Sequence, residues 1–578
     1  MSHNKEHLEH MRHTLAHLMA AAVLEIYPDT KPTIGPAIEN GFYYDFEFSI
    51  APGESDLPQI EAKMKELLPS WTEFTHKEVS ADEARELFTN NPYKKELIDE
   101  LEEKGETITL YTSGGFTDLC RGGHLENPNR DIDTRAFKVT HMAGAYWRGD
   151  EKNKMLTRIY GLAFNTKAEL KEYVEMQEEA KKRDHRKLGK ELDLFTFSDL
   201  VGPGLPLWTP KGTLMTDLIM EKIMDIHKTY GYQKVRIPHI TKPELYKTSG
   251  HWDKFGDELF KVTGKNNAEF VLKPMNCPHH TQIYASNPRS YRDLPLRYME
   301  LGVVYRDEQA GELSGLSRVR SISMDDAHVF CRPDQIEDEI KKIVSAIKEF
   351  YTSFGMLEEG KYWVSLSVRD PEHKEKYLGS DEVWETSEEA LEKIAQEEGI
   401  TYKRMEGEAA FYGPKLDFMF HDAIGRERQL GTAQLDFNMP KRFGLEYTDS
   451  DGSKQTPVMI HRAIAGSMER FMSVMIEHFA GAFPFWLSPV QITLLPVSET
   501  HKEYAEKILN ALEEKGLRAE IRTEETLGKR IRNWSISKNP YACVLGDEEV
   551  KNNTLSVESR DEGKLGEMSL EDFITSAH

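Results

Sequence analysis

Leu296-Arg-Tyr-Met-Glu-Leu-Gly-Val-Val-Tyr-Arg-Asp-Glu308, a glycine- and serine-rich segment, and Arg318-Val-Arg-Ser-Ile-Ser-Met-Asp-Asp-Ala-His-Val-Phe-Cys331 together decide how the chain is read. Apolar and aromatic residues lead to Arg306 and Glu308, Gly311 and Gly315 punctuate a long turn, and β-branched residues return past Arg318 and Arg320. The pattern predicts a β-hairpin. Arginine on both arms supplies planar forks that hold a phosphate or carboxylate bidentately. One Arg-x-Glu alone is usually a surface ion pair, so the phosphate reading depends on its company.

That company begins within residues 191–488. Val201-Gly-Pro-Gly reads as an entry loop, Thr213 to Tyr230 as a helix, and Val235-Arg-Ile-Pro238 as a strand ended by proline. Cys277 follows in Lys273-Pro-Met-Asn-Cys, His328 closes Asp325-Asp-Ala-His, and His461 opens His-Arg-Ala-Ile. One thiolate and two imidazoles, with a fourth position free, match the protein donors of a catalytic zinc.

Residues 1–165 carry a second constellation. Glu6 to Tyr27 reads as a helix with Leu8, Met11, Leu15, Leu18 and Met19 on one side and His10, His13 and His17 on the other. Asp118-Leu-Cys-Arg-Gly-Gly-His124 sets Cys120 and His124 four apart in a glycine-rich turn. If the pairs His13/His17 and Cys120/His124 converge, they can hold a tetrahedral metal or, without one, orient an attacking water. Thr166 starts a capping box with Glu169, and a charged linker helix is expected over residues 166–190. Its Lys181–Lys187 stretch suits either a nucleic-acid backbone or a solvated face. Residues 489–578 alternate strands and helices, which predicts a small α/β sheet with parallel pairs and a binding rather than catalytic role.

At 578 residues the chain suggests about three to four domains. Four scattered cysteines, Cys120, Cys277, Cys331 and Cys543, argue against a disulfide framework. With no apolar run of about 18 residues and a polar start, neither a membrane span nor a signal peptide is expected, and a cytoplasmic location is. A formal charge of −24 does not exclude nucleic acid, because binding depends on local basic patches.

The Pro238 strand, Arg306-Asp-Glu308 and Gly466-Ser-Met-Glu-Arg470 resemble the three motifs of class II aminoacyl-tRNA synthetases. Lys273-Pro-Met-Asn-Cys277-Pro, Asp325-Asp-Ala-His328, Phe411-Tyr-Gly-Pro-Lys415 and His461-Arg-Ala-Ile narrow the resemblance to the threonyl-tRNA synthetase family, over essentially the whole chain. It implies an α+β multidomain protein: an α/β editing domain, a catalytic domain on an antiparallel sheet, and a C-terminal α/β anticodon-binding domain. The small ubiquitin-like domain that many bacterial members carry first has no counterpart, so the chain is expected to start at the editing domain.

The resemblance also implies threonine activation with ATP and Mg2+, transfer to tRNA(Thr), and a homodimer. Arg306 would hold the α-phosphate, Arg470 the triphosphate tail and Glu308 the adenine amine, with Arg318 and Lys415 in the same catalytic set. His251 would serve transfer to the ribose. Asp326, Tyr412, Gln434 and Met324 would line the amino-acid pocket, and Cys277, His328 and His461 would hold one Zn2+. An open zinc takes threonine's amine and hydroxyl and rejects valine. Serine lacks only a methyl, worth about 1–3 kcal/mol, so a hydrolytic site must clear it from tRNA. That role falls to His13, His17, Lys94, Asp118, Cys120 and His124, and the family pattern suggests water positioning without a metal.

Several positions depart from the family. Ile322 replaces the aromatic residue expected against adenine, and Met324 replaces a glutamine at the amino-acid pocket, which predicts weaker ATP or threonine binding. Glu524 and Glu558 stand where polar and basic anticodon contacts are usual, which predicts relaxed or displaced anticodon reading. Two rival functions follow: a paralogue activating threonine for another acceptor, and a regulatory RNA-binding or deacylase protein on a synthetase fold.

Overall fold

The computed structural model describes residues 2–358 and 360–577. The chain divides into two compact units, Met1–Glu178 and Glu179–His578. The division falls inside the helix Lys167–Arg183. That helix does not run on to Lys190 as expected. Asp184 leaves helical geometry (φ −49°, ψ 119°), and its carboxylate accepts from the Arg186 N–H at 2.8 Å, starting a new helix at His185–Glu191.

In the first unit, the strand Gly41–Glu47 pairs with Met155–Ala163, which pairs with Phe137–Tyr146. The helix Ser2–Ile26 buries Leu15, Leu18, Met19 and Val23 in one core with Phe42, Tyr44, Phe46 and Ile159. Every residue from Thr14 to Val23 is buried, the apolar ones in this core and His17 toward the site. A smaller sheet joins Thr75–Val79, Ile108–Ser113 and Phe116–Leu119. Its last hairpin turns at Gly114 (φ +52°) and Gly115 (φ +86°), the conformation that a two-residue turn of this hand demands and glycine supplies.

The second unit is built on an eight-stranded sheet. Leu296–Tyr305 and Ser321–Cys331 form the hairpin read from the sequence, paired antiparallel over ten positions from Leu296↔Phe330 to Tyr305↔Ser321. The order continues through Val458–Ala463, Glu427–Asp436, Lys415–His421 and Tyr362–Val368, all antiparallel, with short parallel strands at the two edges. The expected strand Val235–Pro238 pairs in the ladder only at Gln233–Lys234, plus one Val235 N–H to Met299 O bond at 2.9 Å. Proline has no N–H with which to extend it. Helices Pro210–Thr229, Ile336–Thr352 and Met468–His478 bury their apolar faces on the other side of the sheet, in one core with Val329, Ala433 and Ile460.

Residues beyond 488 form a five-stranded sheet whose first three strands, Ala519–Ile521, Ile492–Pro496 and Tyr541–Leu545, are parallel, as expected. The strand Gly563–Ser569 and helix Asp547–Asn552 were not foreseen. Glu524 is exposed in a loop, and Glu558 is half-buried beside a bulge.

Candidate active sites

In the first unit the two pairs converge. His13 and His17 project from one face of their helix, and the backbone at Gly122 (φ +99°) and Gly123 (φ +79°) folds Cys120 and His124 onto it. Cys120 Sγ lies 3.6 Å from His13 Nε2 and 3.2 Å from His124 Nε2, and His13 Nδ1 donates to Gly123 O at 3.2 Å. The His124 ring stacks between Phe74 (4.1 Å) and His13 (4.2 Å). Behind them, Lys94 Nζ meets Asp118 Oδ1 at 2.5 Å, and Tyr44, which the sequence reading missed, donates to Asp118 Oδ2 at 2.5 Å. Lys94, Asp118 and His17 are all buried. A cavity of about 390 Å³ opens onto this group, walled also by Ile34, Leu97 and Leu101.

Burial keeps the three imidazoles and the thiol neutral. It lowers His13, depresses His17 strongly with help from His13, and takes His124 down to about 2. It also lifts the Cys120 thiol to about 11. Unprotonated imidazoles beside an apolar cavity can accept a proton from water. The four donor atoms also lie within 4.8 Å of one another, so the geometry allows a metal here as well.

In the second unit, cross-strand register assembles the site. Tyr298 is opposite His328, His328 opposite His461, His461 opposite Gln434, and Gln434 opposite Lys415. Side chains directly opposite one another share a face, so this row lies on one face of the sheet. By alternation Ile322, Met324 and Asp326 share the face with His328, opposite Val304, Gly302 and Glu300. Cys277 enters at the first turn of the helix Cys277–Ala285. Its sulfur and one nitrogen each of His328 and His461 lie within 4.8 Å of one another, all three residues buried.

The surroundings of this trio suit a transition metal. His461 Nε2 meets Asp436 Oδ2 at 3.0 Å, and His328 Nδ1 lies 2.7 Å from His280 Nδ1. Ligating imidazoles commonly have their second nitrogen engaged in this way, and a thiolate with two imidazoles is a zinc-type donor set. Tyr412 stacks on His461 at 4.7 Å and donates to Gln434 Oε1 at 2.5 Å. Asp326 accepts from Asn276 at 3.1 Å. His251 is fully buried, with Nδ1 2.8 Å from Ser249 Oγ and Nε2 3.8 Å from Cys277 Sγ. Burial foremost takes it down to about 3, so it is neutral.

The arginines separate into two kinds. Arg318 Nε donates to the buried Glu308 carboxylate at 2.7 Å, and Arg320 donates to the Glu308 carbonyl. Lys415 is likewise paired, 2.6 Å from Asp417. Arg306 and Arg470, by contrast, have no carboxylate partner among the described residues. The Arg306 guanidinium lies 5.5 Å over the Phe255 ring and 3.3 Å from Met275 Sδ, with its Nε buried and unbonded. Arg470 stands in the first turn of Met468–His478, open to solvent along part of its side chain, and partial desolvation and the neighbouring Arg428 lower its pKa. Cations held without a counter-charge await an anion. His185, also unforeseen, anchors the hairpin's turn: Nε2 accepts the Leu316 N–H at 3.0 Å and Nδ1 meets Glu477 at 2.7 Å.

Comparison with known proteins places this arrangement. Residues 260–479 match the tRNA synthetase class II core domain (G, H, P, S and T), residues 491–577 an anticodon binding domain, and residues 108–160 the threonyl and alanyl tRNA synthetase second additional domain. The sheet and its arginine hairpin are therefore a class II aminoacyl-tRNA synthetase core.

The threonine--tRNA ligase of Cytophaga hutchinsonii is 48% identical over 97% of this chain and 87% of its own length, and that of Bacteroides fragilis 50% over 97% and 86%. A threonyl-tRNA synthetase structure from Cryptosporidium parvum, described as its RNA-binding domain, superposes with a TM-score of 0.64 at 36% identity, covering 68% of this chain and 97% of that one. The chain belongs to the threonine--tRNA ligase family.

Proposed function

We propose that the chain activates threonine with ATP, passes the threonyl group to tRNA(Thr), and hydrolyses seryl-tRNA in its first unit. The observation that carries the reading is the row His328–His461–Gln434–Lys415 with Cys277, together with Arg306 and Arg470, which have no carboxylate partner among the described residues. Arg306 would take the α-phosphate as the threonine carboxylate attacks it, and Arg470 the β- and γ-phosphates, with Mg2+ sharing their charge. Glu308, oriented by Arg318, would meet the adenine amine. Cys277, His328 and His461 would hold zinc, which when bound ligates an amine and a hydroxyl together. Asp326, Tyr412 and Gln434 close the amino-acid side, and Lys415 is steered by Asp417. His251 would serve transfer to the ribose.

In the first unit the neutral imidazoles would position and deprotonate water, while Lys94 and Asp118 fix their surroundings. We also propose a cytoplasmic homodimer. Phe197, Leu200 and Val201 expose apolar surface available for a second copy, and no helix among the described residues is long and apolar enough to cross a membrane. ATP–pyrophosphate exchange on zinc-loaded protein tests the synthetic centre. Exchange with threonine, some with serine and almost none with valine is expected; none at saturating ATP and threonine would refute it.

Ile322 is half-buried on the site face, opposite Val304. Restoring an aromatic face there with Ile322→Phe should lower the ATP KM about 2- to 10-fold, the worth of one stacking contact. An unchanged KM would mean that adenine lies elsewhere.

A further inference from the structure

Beyond the Cys277–His328–His461 trio runs a buried file of groups to which the reaction above gives no task. His280 Nδ1 lies 2.7 Å from His328 Nδ1, and His280 Nε2 faces Glu300 Oε2 at 3.7 Å. Glu300 Oε1 accepts the Ile237 N–H at 3.3 Å and lies 3.9 Å from Lys273 Nζ. His280 and Lys273 are wholly buried and Glu300 nearly so. His280 Nε2, Glu300 Oε2 and Lys273 Nζ have no hydrogen-bond partner among the described residues.

A neutral imidazole carries one ring proton, so the protons along this file are interdependent. Asp436, as a carboxylate, only accepts; His461 therefore keeps its proton on Nε2 and turns a lone pair outward at Nδ1. Two arrangements remain for the other rings. In one, His280 is protonated on Nε2 toward Glu300 and accepts at Nδ1 from His328 Nδ1–H. His328 Nε2 is then a lone pair, 3.1 Å from that of His461, and both are free to ligate.

In the other, His280 is protonated on Nδ1 and donates to His328, whose Nε2–H donates to His461 Nδ1. The same three protons are present, but an internal hydrogen bond now closes the ligand atoms. Each arrangement sets acceptors against one another in a dry interior. In the first the conflict is at the ligand atoms, where Asp326 Oδ1 also lies 3.6 Å from His328 Nε2 and where a bound cation would relieve it. In the second it lies between the bare His280 Nε2 and the Glu300 carboxylate at 3.7 Å, where a cation would not.

We propose that Glu300 is a positioning residue for the metal centre: acting through His280, its carboxylate holds His328 in the tautomer whose Nε2 is free to ligate. The proposal rests on the reading of Cys277, His328 and His461 as zinc ligands. Glu300→Gln offers His280 Nε2 an amide donor and so favours the closed arrangement. His280→Leu removes the acceptor for His328 Nδ1–H. His280→Asn puts an oxygen near the place of the lost Nδ1 and should rescue.

The test is zinc affinity of the full chain by chelator competition, with cobalt(II) absorption as a second readout of the coordination sphere and thermal unfolding as a check of folding. Wild type is expected to bind one equivalent, Glu300→Gln and His280→Leu about 10- to 100-fold more weakly, and His280→Asn near the wild-type value. If Glu300→Gln does not fold, the His280 pair decides alone. Equal affinity across wild type and the folded variants would overturn the role of Glu300 and leave the ligands standing. A wild type that takes up no zinc would overturn the ligand reading, and the proposal with it.

Discussion

Replacing Arg306 with alanine is expected to lower threonine-dependent ATP–pyrophosphate exchange about 10²- to 10³-fold, the usual cost of losing one donor aimed at developing charge. The melting temperature should stay near that of the wild type. Both parts follow from Arg306 having no carboxylate partner among the described residues: its removal abandons no buried anion, while the phosphate would lose the cation proposed for it. Arg318→Ala makes the contrast. It strips the buried Glu308 of its 2.7 Å partner and should cost stability as well as activity. Equal melting-temperature losses for the two variants, or unaltered exchange in Arg306→Ala, would remove the case for dividing the arginines by function.

The second large effect is expected in the hydrolytic unit. Lys94 bridges Asp118 and the Tyr44 hydroxyl, at 2.5 and 3.3 Å, in a buried setting. Lys94→Met should reduce seryl-tRNA hydrolysis about 10²- to 10⁴-fold. It should also destabilise the unit by about 3–5 kcal/mol, because Asp118 is left as a lone buried charge. Pyrophosphate exchange should be untouched. Pairing it with Asp118→Asn removes that orphaned charge, so the double variant should regain stability without regaining hydrolysis. A double variant that hydrolyses seryl-tRNA at the wild-type rate would show that this pair is scaffolding only.

Much of this was legible before any coordinates. The hairpin arms announced themselves by apolar, aromatic and β-branched runs on either side of Gly311 and Gly315, and the histidine face of Ser2–Ile26 by three- and four-residue spacing. The Cys277, His328 and His461 set was readable as a donor count. Lys94, Tyr412 and Gln434, in contrast, entered only through family resemblance; no local pattern marks them.

Asp436, His280, Glu300 and Tyr44 were missed because register and packing, not spacing in the chain, bring them to their partners. The break at Asp184 was hidden in a charged run whose composition suits an unbroken helix equally well. Gly563–Ser569 escaped because most of its residues face water at a sheet edge and show no apolar alternation. Val235–Pro238, expected as a strand ended by its proline, leaves the ladder earlier because the Ile237 N–H is taken by the Glu300 side chain, which no spacing in the chain announces.

The cross-strand row has a consequence for which changes the chain can survive. Point substitutions there alter one wall of the pocket, but the insertion or deletion of a single codon inside Ser321–Cys331, Val458–Ala463 or Glu427–Asp436 turns every later side chain of that strand to the opposite face. Length variation within this lineage should therefore collect in the turns between the strands, and a library of one-residue indels should map the row as an abrupt block of dead clones.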